Sequence, residues 1–228
     1  MSMETCHRSV SQKLRCPPRT TPPTTRSTLS GLSKRPATLL LSVAVLALSP
    51  SAAFSQDQSP APALQSLPTL NVTAYMGTWY QVALFPNRFQ RQCVSHTTAL
   101  YRLRADGTVD VTNRCRLADG SWDDAAGLAR PTGVIEGQRL TPARLEVSFL
   151  PAALRWLPIG WGRYWVIQLA DDGRYAVVSE PTREYLWVLS RQPVLAAADE
   201  SAIRSKLVTQ GYTDLGRLEL HRQAPLAR

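Results

Sequence analysis

The chain has 228 residues, enough for one sizeable domain or two small ones, with a core that does not need disulfides to be stable. Its formal net charge of +9 would favour an anionic partner if the charge were spread along the chain. Seven Lys and Arg residues precede Gln56 against Glu4 alone, so most of the charge lies in the first quarter and no nucleic-acid partner is predicted.

Residues 1–55 have the pattern of an N-terminal extension followed by a secretory signal peptide. Residues 1–33 are rich in Ser, Thr, Pro and Arg and show no apolar period, so they cannot bury a core. Lys34 and Arg35 precede an apolar core at residues 37–48, and small residues follow, which is the order typical of a signal peptide. The apolar core is too short for a membrane anchor, which needs about 20 residues. Export is therefore predicted, with cleavage after Ser55 or after Ala53.

Export determines how the four cysteines are interpreted. Cys6 and Cys16 lie in the segment that is removed, which leaves Cys93 and Cys115 as an even pair in an oxidising compartment. A disulfide between them would close a loop of about 22 residues and stabilise the fold by roughly 3 kcal/mol. Two buried thiols are the alternative. A metal site is not predicted, because His96 is the only histidine nearby.

A linker rich in Pro, Ala, Ser and Gln is predicted at residues 56–68, ahead of a folded domain at 69–222 and a tail at 223–228. Within the domain, turn signals separate eight runs whose alternation is typical of β-strands. The predicted strands are residues 78–85, 94–104, 108–117, 125–134, 144–150, 163–170, 174–179 and 185–191. Asp106-Gly107, between the second and third runs, is among the better hairpin signals.

The apolar period changes only after the eighth run. Asp199 is expected to cap a helix in which Ile203, Leu207 and Val208 share a face, and Gly211 is expected to end it. One long helix after eight strands cannot build a parallel sheet. The sequence therefore predicts an all-β fold, an eight-stranded antiparallel up-and-down β-barrel with one C-terminal α-helix packed outside. Such a barrel is wide enough to hold one small ligand.

Motifs in the first and last strands resemble the lipocalin family. GTWY at residues 77–80 opens the first strand, and YLWVLSR at residues 185–191 forms the last. NRF at residues 87–89 and the Asp-Gly hairpin are similar to the bacterial, Blc-like branch that is related to apolipoprotein D. The resemblance implies a non-catalytic carrier that holds a fatty acid, lysophospholipid or similar amphiphile, for lipid storage or transport and envelope maintenance.

The resemblance also bears on location. Blc proteins typically carry a lipid-anchored cysteine at the mature amino terminus, and no cysteine lies directly after the apolar core of this chain, where such an anchor would be attached. A periplasmic protein is therefore expected, with association with the outer membrane and the oligomeric state left open.

Barrel topology gives three motif residues a structural role. In an up-and-down barrel of eight strands the first strand begins and the eighth ends at the same rim, so Trp79 and Arg191 are expected to meet. A guanidinium over an indole face contributes roughly 0.5–2 kcal/mol. We expect Gly77, Trp79 and Arg191 to close the base without contacting a ligand.

The same topology sends the loops after alternate strands to the opposite, open rim. Their aromatic residues are predicted either to contact a membrane surface transiently or to fold inward as a lid; they are Phe89, Trp122, Trp156 and Trp161. The residues expected to line the cavity depend on strand register, which a slip of one residue would invert; they are Trp187, Tyr164, Phe149, Tyr101, Phe85 and Asn113.

An enzyme is the rival class, because a few lipocalins act on bound lipids or pigments, and a haem or tetrapyrrole carrier is a third. The sequence carries no signature of a nucleophile, histidine and carboxylate set, so no catalytic residue and no cofactor is predicted. A low-pKa thiol at Cys93 would favour the enzyme, and a coloured protein would favour the pigment carrier.

Overall fold

The computed structural model describes residues 62–221 and residue 223. The predicted N-terminal extension and signal peptide, including Cys6 and Cys16, lie outside the described residues, as do both predicted cleavage sites and most of the predicted tail.

Strands make up most of the regular structure along the chain. β1 (Leu70–Asn71) and α1 (Val72–Tyr75) precede β2 (Gly77–Leu84), β3 (Ser95–Leu103), β4 (Val109–Arg116) and β5 (Trp122–Pro131). A short hairpin of β6 (Val134–Glu136) and β7 (Arg139–Thr141) comes next, followed by β8 (Arg144–Ser148), β9 (Gly162–Leu169), β10 (Tyr175–Ser179) and β11 (Leu186–Ser190). α2 (Ala197–Thr209) and β12 (Glu219–Leu220) complete the order.

Eight of the strands form a closed antiparallel barrel. β2, β3, β4, β5, β8, β9, β10 and β11 are hydrogen-bonded in that order, and β11 pairs with β2 to close the sheet. β12 adds to the far end of β2, and β1 pairs with β7 of the β6–β7 hairpin. The predicted eight-stranded barrel with a C-terminal helix is confirmed. Closure pairs the two strands that would otherwise be edges.

Two apolar clusters hold the barrel together. The inner cluster fills the closed half and includes Trp79, Val178 and Leu189. The outer cluster packs Ile203 and Leu207 of α2 against the outer faces of β2, β9, β10 and β11. Each fully buried aliphatic side chain contributes roughly 1.5–3 kcal/mol to the stability of the fold. The two clusters lie on opposite faces of the same strands and therefore stabilise them from both sides.

α2 begins two residues before its predicted cap. Asp199 lies in the first turn and accepts hydrogen bonds from the Arg174 guanidinium at 2.7 and 2.9 Å. Ile203 and Leu207 are buried as predicted, but Val208 is 61 % exposed, so its predicted place on the buried face is wrong. Successive helical residues point about 100° apart, so Val208 turns away from the stripe that Leu207 shares with Ile203.

The described part of the predicted linker belongs to the fold. Leu64 is buried in the outer cluster. The Leu67 N–H donates to the Val166 carbonyl at 2.8 Å, and its carbonyl accepts from the Ala143 N–H at 3.0 Å. The Arg183 guanidinium donates to the Pro62 carbonyl. Residues 62–67 thus form a strap along the outside of the barrel. Among residues 62–221, no helix is both long and apolar enough to cross a bilayer.

Candidate functional site

The closed end of the barrel is built from the GTWY motif and Arg191. Gly77 has a φ of +92°, which favours glycine, and it lets the chain enter β2 directly beneath the Arg191 side chain. Trp79 is completely buried, and the guanidinium carbon of Arg191 lies 3.7 Å from the centroid of its ring. Trp79 and Arg191 meet, as expected from the barrel topology.

Hydrogen bonds fix the Arg191 guanidinium in this position. It donates to the carbonyls of Thr78 at 2.7 Å, Met76 at 2.8 Å and Ala74 at 2.9 Å. Burial lowers the pKa of Arg191. The side chain therefore ties the end of β11 to α1 and to the start of β2. It lies below the cavity floor.

Three tyrosines form that floor. The Tyr164 hydroxyl lies 2.7 Å from the Tyr75 hydroxyl and 3.2 Å from the Tyr101 hydroxyl. Burial raises the pKa of Tyr101 to about 12 and raises the pKa of Tyr75 and Tyr164 well above the usual value. The floor is therefore polar but uncharged at neutral pH. Sequence reasoning missed Tyr75, because it lies outside every predicted strand.

A cavity of about 850 Å³ extends from these hydroxyls to the open rim. Apolar side chains supply much of the wall between floor and mouth, among them Val111, Ala129, Val147, Val178 and Leu189. The volume lies within the range of about 300–1,000 Å³ usual for small-molecule sites. Walls of this kind suit the hydrocarbon part of a ligand.

Five of the six predicted wall residues line this cavity: Trp187, Tyr164, Tyr101, Asn113 and, at the mouth, Phe149. The prediction for Phe85 is wrong, because this side chain packs in the outer cluster, edge-on to Tyr212 at 6.0 Å. Along β2, Val82 is an extra residue between Gln81 and Ala83 in the pairing with β11. A bulge of this kind inverts the alternation beyond it, which turns Phe85 outward.

A chain of side-chain hydrogen bonds crosses the upper wall. The Trp187 indole N–H donates to Gln90 Oε1 at 2.9 Å, and Gln90 Nε2 donates to Gln81 Oε1 at 2.8 Å. Gln90 lies in the loop between β2 and β3, so this chain ties the loop to the barrel interior. Gln81 shares the alternation of Trp79, a signal that could have identified it, whereas Gln90 follows no pattern in the sequence.

Aromatic rings lead from the mouth into the cavity. Phe89 is 54 % exposed and its ring centroid lies 5.4 Å from that of Tyr185. Tyr185 in turn stacks on Trp187 at 5.9 Å. All three residues line the cavity. Tyr185 is a wall residue that sequence reasoning missed, although it alternates with Trp187.

The two tryptophans of the loop between β8 and β9 point in different directions. Trp156 is 79 % exposed, with Ile159 and Leu154 also exposed beside it in the chain. Trp161 lines the cavity and donates its indole N–H to the Arg155 carbonyl at 3.0 Å. The guanidinium carbon of Arg130 lies 4.0 Å from the centroid of its ring. The outward alternative thus fits Trp156 and the inward alternative fits Trp161.

Trp122 lies at the start of β5 on the open rim and is 38 % exposed. The guanidinium carbons of Arg114 and Arg116 lie 4.5 and 4.7 Å from its ring centroid. These contacts hold the indole at the edge of the sheet.

The predicted disulfide is present between Cys93 and Cys115, whose Cα atoms are 5.5 Å apart. In the pairing of β3 with β4, Cys115 lies opposite residues inside β3 and not opposite Cys93. Cys93 can still reach Cys115 because it lies in the loop before β3. The bond anchors the second end of the loop that carries Gln90. Cys93 is therefore not a free thiol nucleophile.

Comparison with known proteins agrees with this geometry. Residues 70–223 match the family described as a lipocalin-like domain. Temperature-induced lipocalin-1 of Arabidopsis thaliana is 35% identical over 156 residues, which cover 65% of this chain and 77% of that protein. The outer membrane lipoprotein Blc of Escherichia coli (strain K12) is 36% identical over 139 residues, 60% of this chain and 71% of that protein.

Solved structures share the fold. Insecticyanin from the tobacco hornworm Manduca sexta superposes with a TM-score of 0.57 at 17% identity, over 72% of this chain and 86% of that chain. At this identity the likeness concerns the fold alone.

Proposed function

The chain belongs to the lipocalin family, whose members are generally carriers of small hydrophobic ligands, and from this premise we propose that it is a non-catalytic lipid carrier. Its ligand is one fatty acid, lysophospholipid or similar amphiphile, held with the acyl chain inside the barrel. The cavity of about 850 Å³, apolar in its walls and open at one rim, carries this proposal. Each buried methylene contributes roughly 0.8 kcal/mol, so a long chain binds tightly without many polar contacts.

The charges at the mouth fit an amphiphile oriented in this way. Arg88, Arg114 and Arg163 line the upper part of the cavity. Arg114 is engaged with Asp124 at 3.3 Å. Arg88 and Arg163 form none of the ion pairs found among the described residues. Asp123, Glu180 and Glu184 also line this region, so the mouth offers both charges above hydrocarbon walls. This arrangement favours a headgroup with a phosphate and a cation at the rim and an acyl chain beneath it.

The proposal places the protein in the cell envelope, where it would store or transfer lipid. Three observations support this location: the predicted signal peptide, the Cys93–Cys115 disulfide that suits an oxidising compartment, and the similarity to a protein named as an outer membrane lipoprotein. For the location, we propose export to the periplasm and leave association with the outer membrane open.

Loading and release are proposed to occur at a membrane surface. Trp156, Ile159 and Leu154 expose apolar side chains on the rim loop that also carries Arg155. Tryptophan beside arginine suits the boundary between lipid headgroups and acyl chains. We name these four residues the rim patch.

The carrier is tested by purifying the full chain natively from a periplasmic fraction and identifying extracted ligands by mass spectrometry. Lipids with one acyl chain are expected. Trp187 lies in the cavity wall, so added fatty acid or lysophospholipid is expected to change tryptophan fluorescence saturably. Trp187→Phe should reduce that signal, whereas Trp161, which also lines the cavity, can retain part of it, and calorimetry measures the affinity of the variant independently of fluorescence. The carrier function would be overturned if no lipid were recovered and neither lipid class changed the tryptophan fluorescence saturably.

A further inference from the structure

Gln81 is an unusual residue in the wall of an apolar cavity. It is only 4 % exposed, it lines the cavity, and its Nε2 has no hydrogen-bond partner among the residues that the structure describes. Buried amide groups are nearly always paired, because an unpaired one loses its bonds to water without replacement. At a ligand cavity, such a group indicates that the ligand supplies the missing partner.

The orientation of this amide is fixed by Trp187, because an indole N–H can only donate. Gln90 must therefore present Oε1 to the Trp187 Nε1 and turn its Nε2 towards Gln81. Gln81 in turn presents Oε1 to Gln90, which leaves its NH₂ group unused. The two ends of a glutamine amide are otherwise hard to distinguish. Here the Trp187 N–H, which can only donate, fixes the orientation of the Gln90 amide, and Gln90 then fixes that of Gln81.

The position of Gln81 separates it from two other buried side-chain atoms without a partner in the described chain, His96 Nε2 and Gln168 Oε1. Neither of those residues lines the cavity. Gln168 lies on the outer side, where its Nε2 bonds to Gln210 and to the Ile203 carbonyl under α2. Of the three, Gln81 alone is placed where a bound lipid would pass.

An uncharged donor in an apolar wall selects an uncharged acceptor. A phosphate or carboxylate gains more from Arg88 and Arg163 at the mouth, because charge-assisted hydrogen bonds are stronger. An anion drawn deeper would lose its hydration without gaining a counter-charge. A carbonyl oxygen has no such penalty, and it needs only the N–H that Gln81 holds ready.

We propose that Gln81 binds the ester carbonyl of a monoacyl lipid, with the phosphate at the mouth and the acyl chain below. The inference rests on the proposed carrier function and narrows its ligand class to ester-linked single-chain lipids. A free fatty acid has no second acceptor below its carboxylate, so it cannot satisfy the mouth and Gln81 together.

The test compares two lipids that differ by one carbonyl: lysophosphatidylcholine with an ester-linked palmitoyl chain, and its analogue with an ether-linked hexadecyl chain. Both are titrated into the full chain by calorimetry below their micelle concentrations. The ester is expected to bind about tenfold more tightly, because the ether leaves the Gln81 N–H unpaired. Gln81→Leu, of similar size and without the amide, should bind the two lipids equally.

Two further variants keep the test decisive. Gln90→Leu removes the group that orients Gln81 and should reduce the ester preference, even if Gln81→Leu fails to fold. Gln138→Leu, the same change at an exposed residue of the β6–β7 hairpin that does not line the cavity, should keep the preference.

Each outcome decides a separate question. Equal binding of ester and ether by the unmodified chain overturns the role of Gln81 and leaves the carrier intact. A preference that persists in Gln81→Leu also overturns it, because the carbonyl would then bind elsewhere. Binding of neither lipid, nor of fatty acid, overturns the carrier itself.

Discussion

Arg191 joins two kinds of contact at the closed end of the barrel. Its guanidinium covers the Trp79 indole and donates to three backbone carbonyls between residues 74 and 78. The cavity lining begins above it, at Tyr75 and Tyr101. We therefore expect stability and ligand binding to depend on different residues, with the family motif among those that act on stability.

Arg191→Ala is expected to lower the free energy of unfolding by roughly 2–4 kcal/mol, because the cation–π contact and the carbonyl hydrogen bonds are lost together. Ligand affinity should change comparatively little. Urea denaturation and calorimetric titration measure the two quantities on the same sample. Arg191→Lys keeps the positive charge but loses the planar guanidinium, so its stability should lie between those of the unmodified protein and Arg191→Ala. A stable Arg191→Ala variant that no longer binds lipid would reverse this assignment.

The three floor tyrosines give a second prediction at the same scale. A phenol whose pKa is raised by folding favours the folded state fully below its ordinary pKa near 10, and this contribution is lost as the pH rises through the folded value. That value is about 12 for Tyr101 and higher than usual for Tyr75 and Tyr164. We therefore expect stability to fall between about pH 10 and 12.

Ultraviolet absorbance of phenolate should show late ionisation in the folded protein and early ionisation in urea. Tyr164→Phe removes one late group and the shared hydrogen-bond partner of the other two. Ionisation of every tyrosine near pH 10 without loss of circular dichroism would contradict a buried floor.

At the scale of elements, the loop between β2 and β3 is fastened at two points, near its middle and near its end. Gln90 is bonded into the barrel interior, and Cys93 is bonded to Cys115 of β4. The loop that forms one side of the mouth is thereby held to three strands, β2, β11 and β4.

Replacing both Cys93 and Cys115 by Ser should lower the free energy of unfolding by roughly 3 kcal/mol, because the cross-link of sequence separation 22 restricts the unfolded chain. Chemical denaturation with and without a reducing agent measures the effect. The reducing agent should destabilise the unmodified protein by the same amount and leave the double variant unchanged. An equal response of both proteins would mean that the bond is not formed in solution.

Much of the element order could be predicted from the sequence. Alternation and turn signals located eight strands, and closure of an even, up-and-down barrel brought Trp79 to Arg191. The prediction for Phe85 failed because one inserted residue, Val82, inverts the alternation, and periodicity does not show where a bulge lies. Strand register is decided by pairing with β11, which is distant in sequence.

The polar part of the cavity was less accessible to prediction. Gln81 and Gln90 act through a hydrogen bond between a strand and a loop, and an amide in a loop carries no pattern of its own. Trp156 and Trp161 are five positions apart with the same chemistry. No sequence pattern distinguishes Trp161, which lines the cavity, from Trp156, which is exposed.

At the scale of the whole molecule, the barrel has a sealed end and an open end with different surfaces. The open end carries the rim patch and two cations, Arg88 and Arg163. The β6–β7 hairpin lies at the sealed end, between the closed-end termini of β5 and β8. If loading occurs at a membrane, as proposed, we expect the mouth to face the bilayer.

Trp156→Ser combined with Ile159→Ser is expected to weaken binding to phosphatidylglycerol vesicles about tenfold, because two exposed apolar side chains no longer enter the interface. Affinity for a monomeric lysophospholipid should be unchanged. Val134→Ser is the matched control, since Val134 is 64 % exposed on the β6–β7 hairpin at the sealed end. Sedimentation with vesicles gives the measurement. Equal loss in the two proteins would show that the rim patch does not direct the encounter.

The strap and the last strand fix where the described chain enters and leaves. Pro62 is held by Arg183 of the rim loop 180–185, and the His221 N–H donates to the Val82 carbonyl in the upper half of β2. A label or tether attached beside Pro62 or His221 would thus stand near the entrance and slow ligand exchange by crowding. A label on the exposed turn at Gly137, between β6 and β7, would leave the entrance clear.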